Sequence, residues 1–250
     1  SCYRTSVNFD IFEEGATITS MNDFNRIYLN LEHSFLGDLA IMLECPSGQL
    51  CMLHHCTRNT PPGWSASGRT VQTPGSVDGS GTHLGLAHDD GSCNNDPGYG
   101  FPYYFYPNGT ESFGGSGTTV SVNRNDYADS LLCPSQVQYT SILAYGEEHR
   151  YGPYESLSSL VGCPLNGTWT MHICDFWGID NGWIFEWGLY FRDDLYPSNL
   201  WQFNNSYTTD GYAWSGVGMQ SGMNGSSNAA AIVQNSDDNN WAEIPYTFSA

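Results

Sequence analysis

Hydrophobic and polar residues alternate along the first part of the chain. Residues 26–32 read RIYLNLE, so that every second position is a branched aliphatic residue. Residues 38–44 read DLAIMLE, and Leu39, Ile41 and Leu43 would again share one face. A period of two is typical of β-strands that bury a single face. The pattern predicts antiparallel strands packed over one core.

The same period recurs further along the chain. The turn at residues 46–48 (PSG) leads into residues 50–53 and predicts a hairpin. Later strands are predicted at residues 118–122, 168–173 and 184–191, with Phe185, Trp187, Leu189 and Phe191 on one face of the last. No apolar stripe of helical period extends beyond about two turns. The fold class is therefore predicted to be all-β and sandwich-like.

Two shifts in composition divide the chain. Residues 57–113 are rich in Gly, Pro, Ser, Asp and Asn and lack sustained alternation, which predicts a long loop insertion stapled by Cys56 and Cys93. Residues 192–197 (RDDLYP) read as a linker. The predicted domains are residues 1–194 and residues 195–250. The second would be a small, partial β unit, with strands near residues 212–214, 229–233 and 244–248.

The charge balance limits the partners. The chain carries 26 acidic residues against 7 basic ones, a net charge of −19, and every basic residue is arginine. Nucleic acid and anionic membranes are poor partners for such a surface, because phosphates need cationic neutralisation. Bound calcium is compatible with it, and so is a merely solvated exterior. No run approaches the roughly 18 apolar residues of a membrane helix. No signal peptide is visible, which predicts a mature or trimmed chain.

Eight cysteines without a CxxC pair favour disulfides over zinc or redox chemistry. The expected compartment is oxidising: secreted, periplasmic or cell-surface. Two pairings are predicted from local position. Cys45 and Cys51 flank the 46–48 turn, and Cys163 and Cys174 bracket the strand around Trp169.

Enzyme signatures are missing from the sequence. It contains no HExxH, GxSxG or GxxxxGK[ST] motif. Its histidine segments, at residues 53–56, 82–85 and 87–90, do not resemble the Gly-rich context of a subtilisin-type triad. The chain is therefore expected not to be an enzyme.

Two acidic groups are candidate metal sites. Asp89, Asp90 and Asp96 lie in a loop with His83 and His88, which allows calcium, a turn held by Asx side chains or, with few nitrogen ligands, zinc. The second group is Asp175 and Asp180, at a turn between two predicted strands. Carboxylates at such a turn cap backbone amides more often than they bind metal.

The densest aromatic run is residues 98–106 (GYGFPYYFY). Tyr103, Tyr104 and Tyr106 could stack on sugar rings or anchor a protein partner, since aromatic rings bury a large rigid area. The alternative is that these rings cover the core beneath the insertion.

Several of these segments together resemble the P-domain that accompanies subtilisin-like convertases. Residues 33–39 (HSFLGDL) and 43–48 (LECPSG) resemble its H-x-x-x-G-D-L and L-x-S-P-S-G motifs. Residues 165–170 (LNGTWT) resemble its N-G-T-W-T strand, and residues 175–189 resemble its D-x(4)-D-x-G … W-x-L close. The resemblance extends from about residue 22 to residue 192. It implies a jelly-roll-like β-sandwich, fold-holding roles for Asp38 and Asn166, and structural calcium at Asp175 and Asp180.

The insertion and the cysteines resemble P-domain modules of large Bacteroidota surface proteins. Residues 96–100 and 161–165 fit that subgroup. The resemblance implies type IX secretion and the start of a PKD- or Ig-like unit after residue 197. The function it implies is a non-catalytic module of a larger adhesin-like or structural protein. Its partners would be neighbouring domains or another surface protein. The alternatives are a carbohydrate-binding module and an accessory domain of a secreted protease.

Overall fold

The computed structural model describes residues 2–56, 81–88, 96–114, 117–127, 138–178, 180–197, 213–215 and 247–249. Within these ranges the chain forms thirteen β-strands and five 3₁₀ helices of three or four residues. The strands are β1 Cys2–Phe9, β2 Phe24–His33, β3 Leu39–Glu44, β4 Leu50–His54, β5 Phe101–Phe105, β6 Glu111–Ser112, β7 Thr119–Asn123, β8 Tyr139–Leu143, β9 Tyr151–Gly152, β10 Gly167–Asp175, β11 Gly182–Phe191, β12 Ala213–Ser215 and β13 Thr247–Ser249. The 3₁₀ helices are Met21–Asp23, Leu36–Asp38, Arg124–Asp126, Leu157–Leu160 and Asp193–Leu195. The predicted all-β class is confirmed.

Two main sheets make up the first unit. A four-stranded sheet has the order β1-β10-β3-β4, and a five-stranded sheet has the order β11-β2-β5-β9-β6. The chain passes repeatedly between them, so strands adjacent in sequence often belong to different sheets. Strands β7 and β8 form a separate antiparallel pair.

The core lies between the inward faces of the two main sheets, which gives a sandwich-like arrangement. Leu39, Ile41 and Leu43 of the four-stranded sheet belong to the same buried cluster as Leu29 and Leu31 of the five-stranded sheet. The alternation of residues 26–32 and 38–44 therefore predicted the buried face correctly. Trp169 of β10 is fully buried in this cluster, and its indole N–H donates to the Leu165 carbonyl oxygen at 3.0 Å.

The prediction that residues 57–113 form a loop insertion is wrong at its C-terminal end. Strand β5 is the middle strand of the five-stranded sheet, paired with β2 over residues 101–105. Phe101, Tyr103 and Phe105 face the core. The segment reads FPYYF, so its outward positions are a proline and a tyrosine, and no alternation of apolar and polar residues is visible in the sequence.

Among the described residues, two disulfides connect distant parts of the chain. Cys2 is bonded to Cys174, its directly opposite residue in the β1–β10 pair. Cys45, after β3, is bonded to Cys163, before β10, with their Cα atoms 6.1 Å apart.

The predicted pairing of Cys45 with Cys51 is wrong. Cys51 lies on β4 opposite Leu43, not opposite Cys45. It is buried, and its thiol donates to the Glu155 carbonyl oxygen at 3.4 Å.

The predicted pairing of Cys163 with Cys174 is also wrong. Cys163 precedes β10 and Cys174 lies near the far end of that strand, and each is bonded to a different cysteine. An extended strand rises roughly 3.3 Å per residue, so β10 holds the two further apart than a disulfide can span. Of the third predicted pair, Cys56 is buried with a free thiol, and Cys93 lies outside the described residues.

Both residues expected to hold the fold lie where separate segments meet. The Asn166 side chain donates to the Phe12 carbonyl oxygen at 2.9 Å and accepts the Phe12 N–H at 3.0 Å. Asp38 is 1 % exposed and immediately precedes β3, and its carbonyl oxygen accepts the Phe176 N–H at 3.1 Å. Asn166 therefore substitutes for a strand partner at Phe12, and Asp38 joins β3 to the residues that follow β10.

The chain divides into two compact units, Ser1–Pro197 and Ser198–Ala250. In the second unit the described residues form one antiparallel pair, β12 with β13. The strand predicted at residues 229–233 lies outside the described residues. Among the helices that the structure describes, none has the length and apolar character needed to span a membrane.

Candidate binding surface

The outward face of the five-stranded sheet carries a row of aromatic side chains. Since residues alternate across a strand, the positions of β2 between its core residues point away from the core. Tyr28 is one of these, and it pairs with Tyr104 on β5 and Gly188 on β11. The Tyr28 and Tyr104 rings lie 5.2 Å apart, centroid to centroid.

Arg26 holds the edge of this row in place. Its guanidinium lies 4.7 Å from the centre of the Tyr190 ring and 5.4 Å from that of Tyr104. It also forms an ion pair with Glu147 at 3.1 Å. A guanidinium over a ring face is attracted by the ring's negative quadrupole, so the contact orients both tyrosines.

Glu186 anchors the centre of the row. The Tyr28 hydroxyl donates to its carboxylate at 3.0 Å. Burial, together with this negatively charged acceptor, raises the pKa of Tyr28 to about 12, so the phenol keeps its proton at physiological pH.

A β-bulge adds one more ring to the surface. The register of β11 against β2 shifts between Ile184 and Glu186, which leaves Phe185 as the extra residue. The prediction that Phe185 shares the inward face of Trp187, Leu189 and Phe191 is therefore wrong, and 46 % of Phe185 is exposed. Its ring packs over Gly100, where an added Cβ would come within 2.4 Å of it. We call Tyr28, Tyr104, Phe185 and Tyr190, with Arg26 and Glu186, the aromatic face.

Of the three tyrosines predicted to stack on a ligand, only Tyr104 belongs to this face. Tyr103 is fully buried, and its hydroxyl accepts the Gly85 N–H at 2.9 Å, so it cannot present a ring to a ligand. Tyr106 is 6 % exposed, and its ring is covered by the Arg150 guanidinium at 3.9 Å. The alternative that these rings cover the core is correct for Tyr103 and Tyr106.

The predicted metal residues are spread over the molecule. Asp89 and Asp90 lie outside the described residues, whereas Asp96 is described and exposed. Asp175 ends β10, and its carboxylate accepts the Trp177 N–H at 2.9 Å, which caps the turn. Burial raises the pKa of Asp175, and the negative charge of Asp180 raises it further. Within the described ranges, no three His, Cys, Asp or Glu side chains are grouped so that they could hold a metal ion.

Apart from the aromatic face, the first unit has a cleft at one end. It is a cleft of about 400 Å³ between the start of β1 and the end of β10 on one side and the end of β2 and the start of β11 on the other. Asp175 lines it, together with the exposed rings of Tyr3 and Trp183.

Sequence reasoning missed most of the aromatic face. Arg26, Tyr28 and Tyr190 occupy the positions between the core residues of their alternating strands. This alternation was the sequence signal that could have placed their side chains on the outward face. The bulge that exposes Phe185 left no such signal, because it follows from the pairing of β11 with β2.

No family model, no curated protein and no solved structure matches the chain. The relationship to P-domains therefore stays a prediction.

Proposed function

We propose that this chain is a non-catalytic binding module of a larger secreted or cell-surface protein, and that it binds carbohydrate on the aromatic face. The observation that carries the proposal is the position of Tyr28, Tyr104, Phe185 and Tyr190 on one side of a sheet, away from the core. Two of these rings are strongly exposed, Phe185 at 46 % and Tyr190 at 42 %.

The chemistry of the face fits a sugar better than an apolar peptide. Sugar rings present C–H groups that pack on the negative face of an aromatic ring, and their hydroxyls need hydrogen-bond partners beside it. Arg26 and Glu186 supply a donor and an acceptor between the rings. Because Arg26 and Glu186 already restrain these rings, little side-chain entropy would be lost on binding.

The proposal extends to the environment of the protein. Disulfides persist in oxidising compartments, so the bonds Cys2–Cys174 and Cys45–Cys163 support a secreted or surface location. Membership in the P-domain modules of adhesin-like proteins, and export by the type IX route, belong to the same proposal. Its partners would be the neighbouring domains of a longer chain and a glycan.

Calcium is proposed as a stabilising ion. The carboxylates of Asp175 and Asp180 flank one turn and influence each other's charge. Calcium takes six to eight oxygen ligands, so backbone carbonyls and water would complete the shell. The segment that contains Asp89, Asp90 and Asp96 is the other proposed position.

A glycan array tests the carbohydrate assignment. The wild-type chain is compared with a Phe185→Ala/Tyr190→Ala variant, which removes the two most exposed rings of the face. Each lost ring contact should cost about 1 kcal/mol, so the variant should bind at least tenfold more weakly. Tyr139→Ala is the matched control, because Tyr139 is 59 % exposed on β8 and is not part of the face. A wild-type chain that binds no glycan, or a double variant that binds as well as wild type, overturns the proposal.

A further inference from the structure

A polar pocket lies beyond one end of the aromatic face. Its volume is about 360 Å³. Polar side chains supply most of its lining, and none of the lining residues that the structure describes is acidic. The residues that matter here are Asn22, Asn25, Tyr106, Asn108, Arg150 and Arg192. We call this the Arg150 pocket. It shares no residue with the cleft at the end of the sandwich-like unit.

Three neighbouring strands lead from the aromatic face into the Arg150 pocket. On β5 and β11, the pocket residues Tyr106 and Arg192 each follow a tyrosine of the face by two positions. On β2, which lies between these strands, Asn25 immediately precedes Arg26. An extended strand rises roughly 3.3 Å per residue, so the pocket begins within about 7 Å of the face. A short oligosaccharide bound on the face could therefore reach it.

Arg150 is the cation that an anionic ligand would meet in this pocket. Its guanidinium lies 3.9 Å from the centre of the Tyr106 ring, and this cation–π contact orients it. Its backbone N–H, not its side chain, donates to the Glu111 carboxylate at 2.7 Å, and that carboxylate also bonds His149 at 2.9 Å. Among the residues that the structure describes, no carboxylate forms an ion pair with the Arg150 guanidinium. The side chain is exposed, so its charge is accessible to a ligand.

The other two arginines near the pocket are already paired. Arg192 forms ion pairs with Asp23, at 3.3 Å, and with Asp194. Arg26, on the side of the aromatic face, pairs with Glu147 at 3.1 Å. Because each of these carboxylates lies close to a guanidinium, its repulsion of a bound anion is partly cancelled.

Three asparagine side chains add hydrogen-bond donors to the pocket. Asn108 donates to the side-chain oxygen of Asn22 at 3.0 Å. An asparagine amide carries two N–H groups, so Asn108 keeps a second one, and Asn22 and Asn25 contribute their own. A carboxylate only accepts hydrogen bonds, and it forms its strongest ones with a guanidinium. One arginine beside several amide donors therefore suits a carboxylate.

The net charge of the protein limits the size of this anion. With a net charge of −19, the surface would repel a polyanion. At physiological ionic strength, however, exposed charges further apart than about 8 Å are largely screened from each other. A single carboxylate beside Arg150 would therefore interact mainly with the pocket itself.

We propose that the glycan bound on the aromatic face carries one carboxylate, as a uronic or sialic acid does, and that this carboxylate occupies the Arg150 pocket. It would lie against the Arg150 guanidinium, with the asparagine amides donating to its oxygens. This inference rests on the proposed function and adds the class of ligand: an acidic sugar in an otherwise neutral glycan.

Glycans with a single acidic sugar test the proposal when each is compared with its own methyl ester. The ester keeps the sugar rings and removes the charge. An array of such pairs is probed with the full chain at physiological ionic strength, and the affinities of the pairs that bind are measured calorimetrically. The free acids should bind about fivefold more tightly than the esters. The preference should shrink in about 1 M salt, where the screening length falls to about 3 Å.

Two variants of Arg150 and one control assign the preference. Arg150→Gln removes the charge and keeps the backbone N–H that donates to Glu111, so acid and ester should bind alike. Arg150→Lys keeps the charge and should retain part of the preference. Arg4→Gln is the matched control, because Arg4 is exposed on β1 of the other main sheet, and it should leave the preference unchanged.

The outcomes separate this inference from the carbohydrate proposal. Phe185→Ala/Tyr190→Ala should weaken the binding of acids and esters by the same factor. Equal binding of acids and esters by wild type, or a preference that survives in Arg150→Gln, overturns the Arg150 assignment and leaves the aromatic face standing. A preference that is lost in Arg4→Gln as well would assign it to net charge and overturn the pocket. A chain that binds no glycan in either form overturns both proposals.

Discussion

The backbone of Gly182 lies directly against the imidazole of His33. A Cβ built on Gly182 would come within 2.4 Å of His33 Cδ2 and 2.6 Å of the Glu32 carbonyl oxygen. Gly182 begins β11 and pairs with His33 at the end of β2. The position therefore requires glycine because there is no room for a side chain, and the close pairing brings β11 onto the wall of the cleft.

Gly182→Ala should destabilise the fold. The new methyl group meets backbone as well as a buried ring, and neither can move without breaking the β2–β11 pairing. We expect a loss of about 1–3 kcal/mol in the free energy of unfolding, measured by urea denaturation. Gly178→Ala is the matched control, because nothing lies within 4 Å of an added Cβ there. If the two variants were equally stable, the β2–β11 pairing would accommodate the added methyl group and the steric argument would be wrong.

Acid should weaken the fold through Asp23. This buried carboxylate accepts the Thr19 N–H at 2.6 Å and the Ser20 N–H at 3.1 Å, and it pairs with Arg192 at 3.3 Å. Burial alone would raise its pKa, but these hydrogen bonds, that of the Thr19 hydroxyl and the Arg192 charge outweigh burial and lower the pKa below its ordinary 3.8.

Because the folded-state pKa is the lower one, this contribution is complete above about pH 4 and is lost as the pH falls through the folded-state value. Asp23→Asn should therefore lower stability at pH 7 and flatten the acid side of the stability curve. The test is urea denaturation between pH 2 and pH 7, with Asp10→Asn as the control. A variant whose curve falls as steeply as wild type in acid would assign the effect to other groups.

The disulfide pairing can be read directly by mass spectrometry of an unreduced proteolytic digest. Peptides containing Cys45 and Cys163 should be linked, as should those containing Cys2 and Cys174. A Cys45–Cys51 link would contradict the structure. Cys45→Ser/Cys163→Ser should also reduce stability by about 4–5 kcal/mol, because the bond closes a loop of more than a hundred residues.

Calcium, if bound as proposed, stabilises the folded state by mass action. Adding EDTA should then lower the melting temperature, and restoring calcium should raise it again. Asp180→Asn should reduce this response if the turn after β10 is the site, with Asp10→Asn as the charge control. A melting curve indifferent to EDTA would remove calcium from the proposal.

The sequence predicted those parts of the fold in which local pattern and tertiary position agree. The strand around Ile27 alternates because one face is buried and the other is not, and β10 around Trp169 was located in the same way. The strand around Ile41 was located from its aliphatic positions although both of its faces are buried, with Ala40 and Met42 in a second cluster. Strand β1 reads CYRTSVNF and was missed, because it lies at a sheet edge and only part of it packs on the core.

Pairing between distant segments could not be predicted from local pattern. Cys45 is 118 positions from Cys163, and only the position of β10 beside β3 brings them together. The aromatic face has the same character, since Arg26 and Tyr190 meet only through the β2–β11 register. Both features depend on which strands become neighbours, which is set by the whole core.

The Cys2–Cys174 bond has a mechanical consequence. A tension applied between residue 2 and residue 197 would pass through the disulfide into the end of β10, then along β11, without loading the hydrogen bonds between β1 and β10. Residues 3–173 would lie outside the covalent path of the force, because the disulfide bypasses them. The part of the unit that could extend is then the segment after Cys174. That segment contains β11, so the load would fall on the pairing of β2 with β11 and on the packing of Leu189 and Phe191 in the core.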